Sequence, residues 1–317
     1  MTRPFRIGHA GFLCALPLLH AKHQGYLDSE GLKIDLHREL GLRTLKQRCI
    51  EDRLDAACLP ALTPVVQSHR YPQPENRWTV LAAQTRGGYG LVLSPGAMVR
   101  LKTPKYSEPY QLRIGIPPTS TPAPQMVSSW HKSLNSLHLS NPKCIHLPLD
   151  QMNPFMQEGV VDGFCAPDPM SAIAHFSKLG TLVANSTSLV SNHISGVITC
   201  PPGSRLLAPT PRQLLLRALE KATKECDVMM KTQTLPAWVI DELSPYDYKL
   251  DLKLLRSAKH ECDQLFSISF ASPIKLPEAI KPIDQTFVED CCFALPGGVR
   301  NPRQLRRVIE EIYLASA

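Results

Sequence analysis

Apolar positions along the first 60 residues switch repeatedly between strand and helix spacing. Phe5-Arg6-Ile7-Gly8 reads as a short strand, and the run from Gly11 to Gln24 places Phe12, Leu13, Leu16, Leu19 and Ala21 at helical intervals. Pro17 predicts that the regular helix starts near that residue, and Gly25 stops it. Leu32-Lys33-Ile34-Asp35-Leu36 then alternates with period two, followed by a helix over 44–52 and a strand over 55–58. The order β-α-β-α-β with short links predicts parallel strands covered by helices.

Strands follow over 78–83 and 90–94, joined by Gln84-Thr85-Arg86-Gly87-Gly88-Tyr89, and a polar stretch with proline occupies 102–110. A second β/α series has strands at 112–116, 144–149, 163–165 and 182–184, with helices at 125–134, 152–157 and after Asp168. Ile194-Ser195-Gly196-Val197-Ile198-Thr199 is a further strand, and the chain beyond Pro201 is mainly helical. Thr210-Pro211-Arg212-Gln213 and Asn301-Pro302-Arg303-Gln304 each offer a capping residue, proline at the first helical position and glutamine at the third. Leu215, Leu219, Ala222, Cys226 and Met229 form one apolar helix face, read as core. Two α/β lobes with a cleft between them are the expected architecture: residues 1–90 begin lobe I, 91–193 form lobe II, and 194–317 complete lobe I.

Composition fits that size, since 317 residues with 43% hydrophobic and 20% charged content can bury the cores of two lobes. A net charge of +7 argues against long disorder and permits an anionic ligand without pointing to nucleic acid. Arg303, Arg306 and Arg307 read as the solvated face of an amphipathic helix. No apolar run reaches the length of a membrane span. Ten cysteines at irregular spacing, with no C-x-x-C, read as buried thiols in a reducing compartment; adjacent Cys291 and Cys292 are the pair with reactive potential. Met1-Thr2-Arg3-Pro4 leads straight into the first strand, so the expected location is cytoplasmic, or periplasmic if a leader has been removed.

Catalytic signatures are missing: there is no G-x-S-x-G elbow, phosphate loop or G-x-G-x-x-G. His20 with His23, Cys144 with His146, and His260-Glu261-Cys262 each lack further ligands at metal-site spacing, so neither metal nor cofactor is expected. What remains is a set of turns at strand ends: Gly8-His9-Ala10-Gly11, Gly88-Tyr89-Gly90, Pro118-Thr119-Ser120-Thr121 and Pro167-Asp168-Pro169. Such turns at carboxyl ends of parallel strands can hold a small polar ligand. The hydroxyls at 119–121 equally suit a helix cap.

Two segments carry a resemblance. Ile7-Gly8-His9-Ala10 through Pro17–Leu27 and Gly31–Leu36, with Leu54-Asp55-Ala56-Ala57, resembles the nitrate/bicarbonate substrate-binding proteins of ABC transporters. Gly159-Val160-Val161-Asp162-Gly163-Phe164-Cys165-Ala166-Pro167-Asp168-Pro169 is similar to that family's M-D-G-F-C-V-G-E-P-W segment at the ligand cleft. The resemblance covers about residues 5–200 and implies a periplasmic-binding-protein fold of the second type, with parallel-rich sheets and a hinged cleft. Carried over by position, the family's tryptophan before the second helix falls at Leu42 and its glutamine after an N-G turn at Tyr89. Its histidine falls near Pro122, its glutamate at Asp168 and its lysine before the return strand at His193.

Those replacements imply a small, zwitterionic or aromatic ligand in place of a bare anion. Asp168 and His193 would oppose one another, with Tyr89 and Ser120 as hydrogen-bond donors. His9, Leu42, Tyr89, Ser120, Thr121, Asp168 and His193 are the expected ligand-binding residues. The resemblance implies a binding protein for a small anionic or zwitterionic solute. It would act by ligand-induced closure as a cytoplasmic sensor or a transport component, with a regulatory protein or an ABC permease as partner. The rival is an enzyme of thiamine-pyrimidine or menaquinone-futalosine type on the same fold, for which His9, Asp168 and His193 are the candidate acids and bases.

Overall fold

The computed structural model describes residues 3–232 apart from 72, 104–109, 119, 135–138 and 190–192, and beyond them residues 236, 238, 239, 242 and 269–270. Thr119, His260-Glu261-Cys262, Cys291, Cys292 and the helix start with its arginines over 301–307 lie outside the described residues.

The chain opens with β1 (Phe5–His9), a 3-10 turn (Leu13–Ala15), α1 (Leu16–His23), α2 (Tyr26–Ser29), β2 (Ile34–Arg38), α3 (Leu42–Ile50) and β3 (Ala56–Pro60). Pro17 occupies the first turn of α1, where its missing N–H leaves no bond unmade, and Gly25 follows the helix. Next come α4 (Leu62–Arg70), β4 (Thr79–Arg86), β5 (Tyr89–Leu93), α5 (Pro95–Lys102), β6 (Tyr110–Ile116), α6 (Ala123–Ser133) and β7 (Leu139–His146). Then follow α7 (Met152–Gln157), β8 (Gly163–Pro167), α8 (Met170–Phe176), β9 (Thr181–Asn185), α9 (Ser186–Leu189), β10 (Ile194–Cys200), α10 (Pro209–Thr232) and β11 (Ser269–Phe270).

These strands form two sheets, in the orders β11-β4-β10-β3-β1-β2 and β7-β6-β8-β5-β9. Each sheet is mixed. β1 pairs in parallel with β2 and β3, and β6 with β7 and β8, because a helix carries the chain back across each of those steps. The strands by which the chain enters or leaves a sheet, β4, β5 and β10, pair antiparallel.

Among the elements that differ from the pattern read along the sequence, four show why. α4 has no counterpart there, since Pro60 and Pro64 interrupt its apolar spacing. α5 has a legible start: the Ser94 hydroxyl accepts from the Ala97 N–H at 3.2 Å, and Pro95 takes the first helical position. β7 runs over 139–146 in place of 144–149, with Pro142 tolerated because β7 is an edge strand whose register shifts there. α10 starts at Pro209, so Thr210 is helical and not the cap; a 3-10 turn over Arg205–Leu207 and the extended Ala208 lead into it.

α10 lays Leu215, Leu219, Ala222 and Cys226 onto the core of the first sheet, with Ile7, Leu16, Leu19, Ile34 and Ile198. A second cluster fills the outer face of the other sheet with Leu91, Leu112, Ile114, Met126 and Trp130. A third contains residues of both: Leu42, Leu45, Leu54, Leu59 and Trp78 with Val92, Met152, Phe164, Ala166 and Met170. At about 1.5–3 kcal/mol for each large side chain buried, these clusters are what hold the strand ends, and hence the cleft, in place.

Candidate functional site

A small cavity lies where the two sheets meet. Its described lining is Phe12, Cys14, Leu42, Pro60, Gly88, Tyr89, Pro167, Asp168 and Ser195. Pro60 and Pro167 are the last residues of β3 and β8, Leu42 is the first of α3, and Tyr89 opens β5 opposite Pro167. Phe12 and Cys14 belong to the 3-10 turn that follows β1 and its start, and Ser195 is the second residue of β10. Carboxyl ends of parallel strands from both sheets therefore converge, as ligand sites of open α/β sheets do.

Several contacts fix this geometry. Gly87 and Gly88, at φ +68° and +82°, make the turn between β4 and β5 that an L side chain would strain. The Gly88 carbonyl accepts from the Asp168 N–H at 2.8 Å, and the Asp168 carbonyl accepts from the Leu13 N–H at 3.3 Å across the cleft. Ser171 donates its hydroxyl to the carbonyls of Gly90 at 2.9 Å and Ala166 at 3.0 Å, tying the start of α8 to β5 and β8. A methyl on Gly196 would meet Cys14 Cβ and Thr85 Oγ1 at 2.6 Å, so the turn bearing Cys14 can rest on β10 only at a glycine.

Asp168 is the one charged side chain in the described lining. It is 3% exposed, and its Oδ2 has no hydrogen-bond partner among the described residues. Burial pushes its carboxyl up from 3.8 to about 7. Burial also raises Tyr89 well above the usual phenol range, with lesser contributions from Cys14, Cys165 and Asp168. The Cys14 thiol is pushed up to about 12, chiefly by burial, which makes it a neutral wall and not a nucleophile. Ser195 Oγ and Thr85 Oγ1 lie 2.9 Å apart. The arrangement can solvate a small apolar body and present one carboxyl that titrates near neutrality.

Of the residues expected at the site, Leu42, Tyr89 and Asp168 come together on the cavity. His9 ends β1, is buried, and its Nδ1 accepts from the Gly11 N–H at 3.3 Å. Burial, then the Arg38 charge, holds His9 down at about 4, so the ring is neutral. Ser120 and Thr121 lie in the turn before α6, and Thr121 is buried with no partner for Oγ1 among the described residues. His193 precedes β10 and its carbonyl accepts from the Gly87 N–H at 3.0 Å. None of these four is in the described lining. Phe12, Cys14 and Ser195 were the less visible members; the signal for the first two is that they fall between the end of β1 and Pro17, where a cleft-facing turn belongs.

Elsewhere, His20 is committed to packing: Nε2 lies 2.6 Å from Glu225 Oε2, and its ring and that of His23 stack on Trp238 at 6.0 and 4.5 Å. Among the described residues no three His, Cys, Asp or Glu side chains converge as metal ligands. No described helix is long and apolar enough to cross a membrane.

The sequence profile of the NMT1-like family matches residues 2–240. Among solved structures, the periplasmic nitrate-binding protein NrtA of Synechocystis superposes with a TM-score of 0.75 at 14% identity, covering 99% of this chain and 88% of that one. The ligand-binding component of an ABC-type import system from Staphylococcus aureus gives 0.68 at 14% identity, covering 91% of each chain. These likenesses show the periplasmic-binding-protein fold. The bicarbonate transport ATP-binding protein CmpC of Synechococcus elongatus is 23% identical over 247 residues, 70% of this chain. The chain spans about a third of the length of the curated relatives it matches, 35% for CmpC.

Proposed function

Because this chain belongs to the NMT1-like family, we propose that it is a small-solute binding protein whose two lobes close on their ligand, in the service of an ABC-type importer or of a regulatory partner. The observation that carries this reading is the cavity at the meeting of the two sheets, with walls drawn from both and a buried acid facing it. The relatives' names, a nitrate-binding protein and the ligand-binding component of an import system, support the same reading. Lobe I comprises the chain as far as the Gly87–Gly88 turn together with the part from β10 onward, and lobe II lies between. The hinge is then that turn and the return into β10, and a ligand that touches both lobes only when they are closed shifts the population to the closed form. The seven described cysteines, all unpaired thiols, support a reducing compartment and hence a cytoplasmic site of action.

A thermal-shift screen against nitrate, bicarbonate, alkanesulfonates and small amines, followed by small-angle scattering, tests it. A bound solute at 100 times its dissociation constant adds about 2.7 kcal/mol to stability and should reduce the radius of gyration. Stabilisation without compaction would remove the closure mechanism, and no stabilisation by any compound would remove the solute-binding reading.

One observation favours a second reading, an enzyme on this fold: a carboxyl titrating near 7 has the pKa wanted of a general acid or base. Consumption of the stabilising compound, lost in Asp168→Asn, would decide for it.

A further inference from the structure

Taking the cleft as the solute site, we propose that it selects a small molecule with a cationic, N–H-donating group on an apolar body, paired with Asp168, and that it rejects bare anions. Phe12, Leu42, Pro60 and Pro167 supply apolar walls, and no Lys, Arg or His belongs to the described lining. An anion in this cavity would face a carboxylate in a poorly solvated site with no opposite charge in the described lining to hold it. A cation reverses the balance. Asp168 Oδ2 is buried and makes no hydrogen bond among the described residues, so a ligand N–H supplies the partner that the fold leaves out.

The other ionisable groups of the described lining, and Cys165 beside it, stay uncharged through neutrality. Tyr89 from β5, Cys14 from the turn after β1 and Cys165 from β8 are all held in their protonated forms by burial. His175 stands at the far end of α8. His9 and Arg38 sit on the β1–β2 side of the loop and do not line the cavity. His193, just before β10, and Arg86, at the end of β4, flank the Gly87–Gly88 turn outside the described lining. Within the described lining, Asp168 is therefore the group whose charge changes between pH 6 and 8. With its carboxyl near 7, the carboxylate fraction rises about tenfold over that interval.

Three probes with one body separate the possibilities by calorimetry: benzylammonium, benzyl alcohol and benzoate, with nitrate and methanesulfonate alongside. Benzylammonium should bind at least tenfold more tightly than benzoate at pH 8, and should lose about tenfold in affinity on going to pH 6 as Asp168 takes up its proton. Asp168→Asn should abolish that preference. The pH dependence of the unaltered protein carries the test even if the variant folds poorly. Binding of benzoate, nitrate or methanesulfonate as tight as that of benzylammonium would overturn the proposal and leave the solute-binding reading standing. Failure of all five probes to bind would overturn both.

Discussion

The β1–β3 unit of one sheet and the β6–β8 unit of the other are built on the same plan, and they part company at a single position. In each, an aspartate directly before the strand exchanges backbone bonds with an arginine on its parallel neighbour. Asp55 donates its N–H to the Arg6 carbonyl at 2.7 Å and accepts the Arg6 N–H on Oδ2 at 2.7 Å; Asp162 does the same with Arg113, at 2.8 Å in both directions. Further donors complete each carboxylate, Arg205 at Asp55 and the Arg113 side chain with the Tyr110 hydroxyl at Asp162. At the opposite ends, β3 and β8 both finish in a proline on the cavity wall, Pro60 and Pro167. The next residue is Ala61 in one and Asp168 in the other, and Asp168 receives none of the donors that complete Asp55 and Asp162. The same side chain is thus scaffold at the amino end of a strand and a held-back charge at the carboxyl end, so the carboxylate of the described cleft lining comes from one lobe only.

The comparison breaks most visibly through the scaffold aspartates. At Asp162, burial alone would raise the carboxyl, but the bonds from Arg113 and Tyr110 outweigh it and hold the group below its ordinary value. Its contribution is therefore present above the unfolded pKa and lost as pH falls through the folded one. Asp162→Ala leaves the Arg113 N–H and guanidinium without their acceptor and should cost about 3 kcal/mol in urea unfolding at pH 7. Asp168→Ala should not cost as much; equal losses would erase the distinction.

Asp168→Asn should act in the opposite sense, raising stability at pH 8 by on the order of 3 kcal/mol. The native carboxyl is raised from 3.8 to about 7, so the stability of the unaltered protein is fullest below 3.8 and falls as pH rises through 7. The gain should shrink to about 0.5 kcal/mol near pH 4 and vanish below about pH 3, where Asp168 is protonated folded or unfolded. A variant less stable at pH 8 than the unaltered protein would mean that the carboxylate is partnered after all.

The scaffold half of this comparison is legible in the sequence and the cleft half only partly. Leu54-Asp55-Ala56-Ala57 and Val161-Asp162-Gly163-Phe164 show an acid at a strand entry, and the period of their apolar neighbours places both strands correctly. Tyr89 and Asp168 are visible because glycine and proline mark turns where strands end. Phe12 and Cys14 are hidden because they share helical spacing with Leu16 and Leu19, although the chain there makes only a 3-10 turn. Ser195 is hidden because its facing depends on the pairing of β10 with β3 and β4, which no local pattern encodes. α4 is missed because Pro60 and Pro64 interrupt its spacing and because three of its six buried residues, Thr63, Gln67 and Ser68, are polar, so the buried face does not read as apolar.

His9 sharpens the contrast between the cleft edges, because its charge linkage runs against that of Asp168. Its imidazole is held at about 4 by burial and by Arg38, against 6.5 in the unfolded chain. Stability from His9 is therefore present above 6.5 and is lost as pH falls toward 4, whereas Asp168 gains over the same descent. Replacing His9 with Gln should recover about 2 kcal/mol at pH 4.5 and nothing at pH 8. Urea titrations of His9→Gln and Asp168→Asn across pH 4–8 should show slopes of opposite sign relative to the unaltered protein.

The smallest effect separates true members of a carboxylate anchor from charges that merely stand near one. Arg100 approaches Asp162 Oδ1 only to 3.9 Å, is 45% exposed, and lies 4.6 Å over the Tyr110 ring. Arg205 is exposed to a similar degree, 41%, yet it bonds both Asp55 oxygens at 3.2 and 3.3 Å and the carbonyls of Arg3 and Pro4 as well. A loose exposed pair is worth little because water and salt screen it, whereas a guanidinium with several acceptors links β1 to the turn that begins the helical return. Arg100→Ala should therefore change stability by about 0.5 kcal/mol or less, with the difference gone at 1 M salt, while Arg205→Ala should cost about 1–2 kcal/mol and keep most of that cost in salt. If the two losses match, proximity alone governs the anchors, and the contrast between completed and incomplete carboxylates loses its energetic basis.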